Sequence, residues 1–378
     1  MTALSIAFVD FQPRRYDVET ARHEPLGGSE SALCYLAVEL AKRGHRIAIF
    51  NNPPAAGVVA GVQMVPREGL PDSYLAAQNF DAVIVLNGPA EASALRADLP
   101  RRTALALWTQ HDCDIPAVAK LANADVRRRW DKIVCISDWQ RNRYIDVFRA
   151  DPDRVAVLRN AVAPVFESLF ADADDLRRRK AGPLRLAYTS TPFRGLNVLL
   201  EVFPRLERDC RLEIYSSMQV YAAAHEDARF AALYNQARQT PNVSYIGSVP
   251  QPQLAAAMTC VSVLSYPNIY PETSCIAVME ALAAGAFVLT SDLGALPETT
   301  LGLGSTIPNH QKLGLPEFAR HYLAHLRAVI DAAMADPQGF AAQRYDQVQV
   351  MNRDHVWRVR AVQWEQAIRL WLQRREVD

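Results

Sequence analysis

The 378-residue chain is predicted to fold as an α/β protein with parallel sheets in two units. Three observations predict it. Short β-rich apolar runs alternate with longer helical patterns, which is the rhythm of βαβ units whose strands are covered on both faces. That rhythm breaks once, between Asn160 and Pro183, where Ala171-Asp172-Ala173-Asp174-Asp175 and Arg177-Arg178-Arg179-Lys180 form a polar, charge-blocked stretch suited to a domain connection. The composition, 50% hydrophobic and 22% charged, is that of an ordinary globular chain long enough for two cores.

The strands of the first series are expected at Leu4–Val9, Ile47–Phe50, Ala82–Leu86, Ala104–Trp108, Lys132–Ile136 and Val155–Leu158. Those of the second are expected at Leu184–Tyr188, Leu212–Tyr215, Val243–Ile246, Val261–Leu264 and Phe287–Leu289. Ser29 opens a helix with the apolar face Leu33, Leu36, Ala37 and Leu40, and Gly44 ends it. Ser137-Asp138-Trp139-Gln140 has the capping-box pattern directly after a strand. The stretch Asp354 to Arg375 reads as one helix, with Trp357, Ala361, Trp364, Ile368 and Trp371 on a single apolar stripe. The domains are drawn at 1–165, 166–350 and a terminal helical segment 351–378.

Lys+Arg and Asp+Glu are both 41, so a general affinity for nucleic acid is not expected. The six cysteines include no CxxC, which speaks against a zinc ribbon or a thioredoxin-type site and fits a reducing compartment. No secretory leader and no transmembrane segment are read, so a cytoplasmic protein is expected. Arg127-Arg128-Arg129 leaves peripheral contact with the inner face of a membrane open, although a solvated helix face is the favoured reading. There is no P-loop and no HExxH.

Two segments carry chemistry. Gly27-Gly28-Ser29-Glu30 joins a strand to a helix start, where glycines admit a ligand to the backbone and a helix N-terminus offers N–H groups. Read alone, such a turn is usually only a turn. Tyr270-Pro271-Glu272-Thr273-Ser274-Cys275-Ile276-Ala277-Val278-Met279-Glu280 sets two carboxylates seven residues apart after an apolar strand. Pro271 places Glu272 at an expected helix start, with the N–H groups of Thr273, Ser274, Cys275 and Ile276 as first-turn donors. Carboxylates at both ends suit the hydroxyls of a sugar. A helix with two unrelated acids is the commoner reading until other evidence joins it.

That evidence is a resemblance. The Glu-x7-Glu motif from Glu272 to Glu280 resembles that of family 4 of the nucleotide-sugar glycosyltransferases. Further blocks look like those of the family in order and spacing. They are Gly27-Gly28-Ser29-Glu30, Thr109-Gln110-His111-Asp112, Val134-Cys135-Ile136-Ser137, Leu158-Arg159-Asn160-Ala161-Val162, Phe193-Arg194-Gly195-Leu196, the run from Glu280 to Gly285, and Pro297-Glu298. The resemblance implies a GT-B fold, two Rossmann-like domains with parallel sheets facing across a cleft, and a C-terminal helix returning to the N-terminal domain. It implies a retaining transferase that needs no cofactor and takes a UDP- or GDP-linked sugar to a glycan, lipid-linked or small-molecule acceptor. On the same basis Arg194 is assigned to the diphosphate, Glu280 to the ribose, Glu272 to the donor sugar or the charge near its anomeric carbon, and His111 to the sugar from the N-terminal side. Gly27, Gly28, Gly247 and residues 273–276 are assigned to donor binding.

Two positions depart from the family pattern. Where it has a second cation before Arg194, this chain has Tyr188 and Thr189, leaving another basic residue or the Ser190 and Thr191 hydroxyls to compensate. The usual Asn-Gly turn is Asn160-Ala161. Two other readings stay open. Asp112-Cys113-Asp114 follows a strand like the metal-holding acid pair of a different transferase class. The missing cation also admits a catalytically silent nucleotide-sugar or glycan-binding protein.

Overall fold

The computed structural model describes residues 2–68, 74–221 and 223–375. The chain divides into two compact units: unit 1 takes Met1–Thr20, Gly28–Ala161 and Trp357–Asp378, and unit 2 takes Ala21–Gly27 and Val162–Val356.

Unit 1 holds β1 (Ser5–Asp10), β2 (Arg46–Asn51), β3 (Gly57–Val59), β4 (Val62–Pro66), β5 (Ala82–Leu86), β6 (Ala104–Trp108), β7 (Lys132–Cys135) and β8 (Val155–Val157). They form one sheet in the order β3-β4-β2-β1-β5-β6-β7-β8. Every pairing is parallel except β3 with β4. β5 and β6 are buried at every position, as strands covered on both faces must be. The edge pair β3–β4 was not expected from the sequence. Val58 is exposed and the turn is the two-residue Ala60-Gly61, both at positive φ, so the hairpin has no continuous apolar run to announce it.

The helix Gly28–Lys42 buries Leu33, Leu36, Ala37 and Leu40. It closes at Gly44 (φ +85°), whose N–H bonds the Ala41 carbonyl at 2.9 Å while the His45 N–H bonds that of Leu40 at 3.3 Å. Ser137 Oγ accepts the Gln140 N–H at 3.0 Å and caps the helix Asp138–Phe148.

The last helix spans Trp357–Arg375 and starts later than the sequence reading, because Asp354 ends a separate helix, Pro337–Asp354, and the chain turns at His355. The stripe Trp357, Ala361, Trp364, Ile368 and Trp371 is buried within unit 1. Trp364 meets Trp108 edge-on at 5.0 Å and Trp357 meets Tyr35 at 6.3 Å. Residues 376–378 lie outside the described residues.

Unit 2 holds β9 (Leu184–Tyr188), β10 (Cys210–Ile214), β11 (Val243–Tyr245), β12 (Val263–Tyr266), β13 (Phe287–Ser291) and β14 (Ser305–Ile307). All are parallel, in the order β11-β10-β9-β12-β13-β14. The order therefore reverses beside β9, the point at which open α/β sheets take ligands at their carboxyl ends. The polar stretch before β9 is a short helix, Ala173–Arg179, capped by Asp172. Lys180 behind it donates to the carbonyls of Val261 and Ala284.

One buried carboxylate ties the last helix into unit 1. Glu365 accepts from Arg43 Nη2 at 2.5 Å and Nε at 2.9 Å and from Arg369 Nη2 at 2.8 Å, with His45 Nε2 3.3 Å away. Burial raises its pKa, but the hydrogen bonds from Arg43, Arg369 and His45 outweigh that and hold it at about 2. The stabilisation is complete above the ordinary carboxylate pKa and is lost as pH falls toward 2. Glu365→Gln is expected to destabilise the protein by about 3 kcal/mol. Chemical denaturation should show that gap at pH 7, narrowing progressively as the comparison is repeated below pH 4.

Candidate active site

The residues that the sequence singled out in unit 2 gather at the carboxyl ends of β9 and β12. The two strands end in Tyr188 and Tyr266, whose rings meet edge-on at 5.7 Å. From β9 the chain passes through Thr191 into the single turn Pro192–Arg194 and then Gly195. Gly195 has φ +118°, and a Cβ on it would stand 2.1 Å from the Pro267 carbonyl oxygen just past β12. No other residue type lets the Arg194 turn lie this close to that strand end.

Arg194 Nη1 donates to Glu272 Oε1 at 2.8 Å and Oε2 at 3.1 Å, and Nη2 donates to the Tyr221 hydroxyl at 3.0 Å. The guanidinium lies over the Tyr270 ring, 4.7 Å from its centre. The Tyr266 hydroxyl donates to Glu272 Oε1 at 2.5 Å. Burial works against the charge on Arg194, but the neighbouring Glu272 carboxylate prevails and raises its pKa well above the ordinary value. The sequence assigned Arg194 and Glu272 separate ligand groups. The structure makes them one ion pair between a buried Glu272 and a partly exposed Arg194, with neither terminal nitrogen of Arg194 left as an open fork.

The expected helix start at Glu272 is corrected. Glu272 is extended and pairs in parallel with Gly294, and the Ala295 N–H bonds the Glu272 carbonyl at 2.7 Å. The helix begins at Ile276, with Cys275 as N-cap, so Thr273 and Ser274 lie in the preceding loop and are not first-turn residues. The N–H groups of Val278 and Met279 both bond the Cys275 carbonyl. Gly294 (φ +67°) permits the pairing, since a Cβ there would stand 2.4 Å from the Glu272 carbonyl oxygen.

Glu280 lies on the helix Ile276–Ala283 and is 5% exposed. Burial pushes its pKa up to about 8, against a hydrogen bond with the Gln251 side chain that lowers it. Its Oε1 is buried without a hydrogen-bond partner among the described residues. Gly247 follows β11 at φ +85°, with its N–H on the Ile214 carbonyl at 3.3 Å. Beside it the loop after β10 is pinned by Asp227, which accepts from Ser217 Oγ at 2.6 Å, the Met218 N–H at 2.8 Å and the Tyr234 hydroxyl at 2.7 Å. Tyr266, Tyr221, Gly294, Gln251 and Asp227 escaped the sequence reading. Only Gly294 left a trace there, as a glycine inside a Leu-Gly-Ala turn after a strand.

In unit 1, His111 is half-buried in the loop after β6. Its carbonyl accepts from Gln140 Nε2 at 2.9 Å and from the Tyr144 hydroxyl at 2.8 Å, so the capped helix Asp138–Phe148 sets its position. Asp112 is buried with Arg143 Nε and Nη2 each 3.2 Å from its carboxylate, whereas Asp114 is exposed. Among the described residues no group of three His, Cys, Asp or Glu side chains is placed to hold a metal ion. Gly28 is the first residue of its helix and Gly27 precedes it. Burial raises the Glu30 carboxyl in that first turn.

Residues 185–315, which contain this site, match the family model described as glycosyl transferases group 1. Phosphatidyl-myo-inositol mannosyltransferase of Mycobacterium tuberculosis is 24% identical over 304 residues, covering 71% of this chain and 75% of that protein. A glycosyltransferase from Rickettsia africae superposes with a TM-score of 0.72 at 14% identity, over 98% of this chain and 99% of its own. The Anabaena protein HepE, solved with UDP and glucose, superposes with a TM-score of 0.66 at 15% identity, over 97% of this chain and all of its own. The fold is GT-B, and the protein is a glycosyltransferase. Its residues 185–315 are a glycosyl transferases group 1 domain. No helix among the described residues is long and apolar enough to cross a membrane.

The two glycine contacts lead to a differential test. Gly294 and Gly302 both have positive φ, at +67° and +72°, but only Gly294 faces backbone that a Cβ would strike. Gly302→Ala should cost about 1 kcal/mol for its conformation alone. Gly294→Ala should cost clearly more, because a Cβ there strikes the Glu272 backbone. Thermal melts of the two variants side by side check it.

Proposed function

We propose that this glycosyltransferase moves a sugar from a nucleoside-diphosphate donor to a hydroxyl acceptor, with retention at the anomeric carbon and without a metal ion. The observation that carries the donor reading is the buried Oε1 of Glu280, which has no hydrogen-bond partner among the described residues. Ribose hydroxyls are the donors that suit it. Arg194 serves the diphosphate and Glu272 holds Arg194 in place beside the donor sugar. Gly247 and the segment Thr273–Ile276 lend backbone to the donor. In the reaction the bond from the anomeric carbon to the phosphate oxygen breaks and its electron pair stays on the leaving diphosphate. The acceptor oxygen bonds the carbon and passes its proton to an oxygen of the leaving diphosphate. Charge therefore grows on the diphosphate, where a preplaced guanidinium acts most strongly.

The reading without metal is supported by Asp112, whose carboxylate is already engaged by Arg143. Retention rests on the motif resemblance. The relatives suggest what to try: UDP-glucose, after the HepE complexes, and a mannosyl nucleotide with a phosphatidylinositol acceptor, after the mycobacterial enzymes. Release of nucleoside diphosphate from one of these donors, undiminished in excess EDTA, is the expected result. Activity lost to EDTA and restored by manganese would favour Asp112-Cys113-Asp114, and binding without any turnover would favour a silent binding protein. Arg194→Ala should lower kcat by about 10²–10³ at saturating donor.

Glu280 adds a pH signature. With a pKa of about 8 it is mostly protonated in the empty site at neutral pH. If the ribose hydroxyls donate to its carboxylate, binding expels that proton. Nucleotide affinity should then rise about tenfold per pH unit from 6 toward 8 and level off above. Titrations of wild type and Glu280→Gln check it: the variant should bind weakly with no such slope.

A further inference from the structure

The helix Pro337–Asp354 carries Arg344 to the amino ends of β13 and β14. There it meets Phe287, the first residue of β13, and Leu303, two residues before β14. In a parallel sheet this is the end opposite the one that holds Arg194 and Glu272. Arg344 is 8% exposed. Its Nη1 donates to the Leu303 carbonyl at 3.1 Å and to Gln347 Oε1 at 2.7 Å. Gln347 is itself fixed, with Nε2 donating to the carbonyls of Leu282 at 2.7 Å and Ala286 at 3.0 Å. The guanidinium lies against two rings, 5.2 Å from the centre of Phe287 and 5.5 Å from that of Phe340. The other edge of its plane is left over. Nε is buried without a hydrogen-bond partner among the described residues. Nη2 has no partner among them either, yet it is not sealed from solvent as Nε is. Both rings are partly exposed, so this corner of unit 2 lies at the surface. Arg43, Arg143 and Arg194 each meet a buried carboxylate. Arg344 meets none among the described residues, and burial lowers its pKa with nothing to offset it. A largely buried cation without a counter-charge is costly, and packing alone would be served by an uncharged side chain.

We propose that the Nε–Nη2 edge of Arg344 is an anion-binding site whose ligand is a small organic carboxylate. The two groups belong to one plane and share one edge, so their N–H bonds point the same way. That edge is the fork that takes both oxygens of a carboxylate at once. A single uncompensated positive charge is matched by a monoanion and not by a phosphate dianion. The partly exposed Phe287 and Phe340 rings give the body that bears the carboxylate an apolar surface to rest on. Leu303 and Gln347 hold the fork in place through Nη1, so little side-chain freedom is lost when the ligand arrives. The proposal stands apart from the nucleotide-sugar reading, since it uses none of the residues assigned to the donor.

The test uses the whole chain, with benzoate as probe, benzamide as its neutral isostere and inorganic phosphate as the dianion, all at matched ionic strength. Benzoate should raise the melting temperature saturably, with a Kd of about 1–10 mM, the range for two charge-assisted hydrogen bonds on one guanidinium. Benzamide should not. Arg344→Lys keeps the charge and loses the fork, and it should raise the benzoate Kd about tenfold or more. Phe340→Leu, which removes one partly exposed ring, should weaken benzoate by a smaller factor. Arg194→Ala, at the other end of the sheet, should bind benzoate within about twofold of wild type. Benzamide as effective as benzoate, undiminished benzoate binding by Arg344→Lys, or loss of binding in Arg194→Ala each overturns the proposal. Phosphate binding tighter than benzoate overturns the carboxylate class. Should Arg344→Lys fail to fold, the contrast of benzoate with benzamide in wild type, together with Phe340→Leu and Arg194→Ala, decides the matter.

Discussion

Forming the Arg194–Glu272 pair takes the Glu272 charge, and most of the Arg194 guanidinium, out of water, at a cost of up to several kcal/mol per ion. Their attraction offsets that only when the geometry is good and the remaining polar atoms are bonded. Here Glu272 takes two contacts from one guanidinium nitrogen and a third from the Tyr266 hydroxyl, while Arg194 has Tyr221 at its other nitrogen and the Tyr270 ring beneath it. Each partner comes from a different stretch of chain: the turn after β9, the end of β12, the loop after β12 and the segment after β10. The pair therefore acts less as a source of stability than as a fixed point. Four chain segments must arrive together or leave a charge buried alone.

Backbone, not side chains, makes that fixed point reachable. Gly195 lets the Arg194 turn touch the chain after β12, and Gly294 lets the loop after β13 pair with Glu272. The second contact also explains why the helix starts at Ile276. Pro271 before an acid reads as a helix N-terminus, but Glu272 is held extended by its bridge to Gly294, 22 residues ahead in the sequence. A local pattern has no access to a partner that distant, and tertiary pairing overrides it.

The same division between local and distant runs through the whole chain. Strands buried on both faces, such as β5 and β6, were legible because continuous apolar runs admit few other readings. The edge hairpin β3–β4 and the short β14 were not: β3 and β14 are three residues each, partly exposed, and begin on Gly57 and on Ser305-Thr306. In the site, Glu280 and Arg194 stood out by motif spacing and residue chemistry. That Arg194 would be matched to Glu272 was invisible, as the two are 78 residues apart. The tyrosines around them were invisible too, because a tyrosine in an apolar run is ordinarily core.

The charge balance of the empty site bears on how it would work. At neutral pH Glu280 is largely neutral, pushed up to about 8 by burial, and Arg194 is balanced by Glu272. On the proposed reading, an incoming diphosphate competes with Glu272 for the Arg194 guanidinium. In the ground state that competition favours Glu272, which Tyr266 also holds. As the anomeric bond breaks, charge builds on the leaving phosphate and the balance moves toward it. A cation shared in this way adds little to donor affinity and more to the transition state, which is the distribution of binding energy that raises kcat rather than only lowering KM. The Glu272 carboxylate that engages Arg194 would then be what reserves the guanidinium for the step where charge develops.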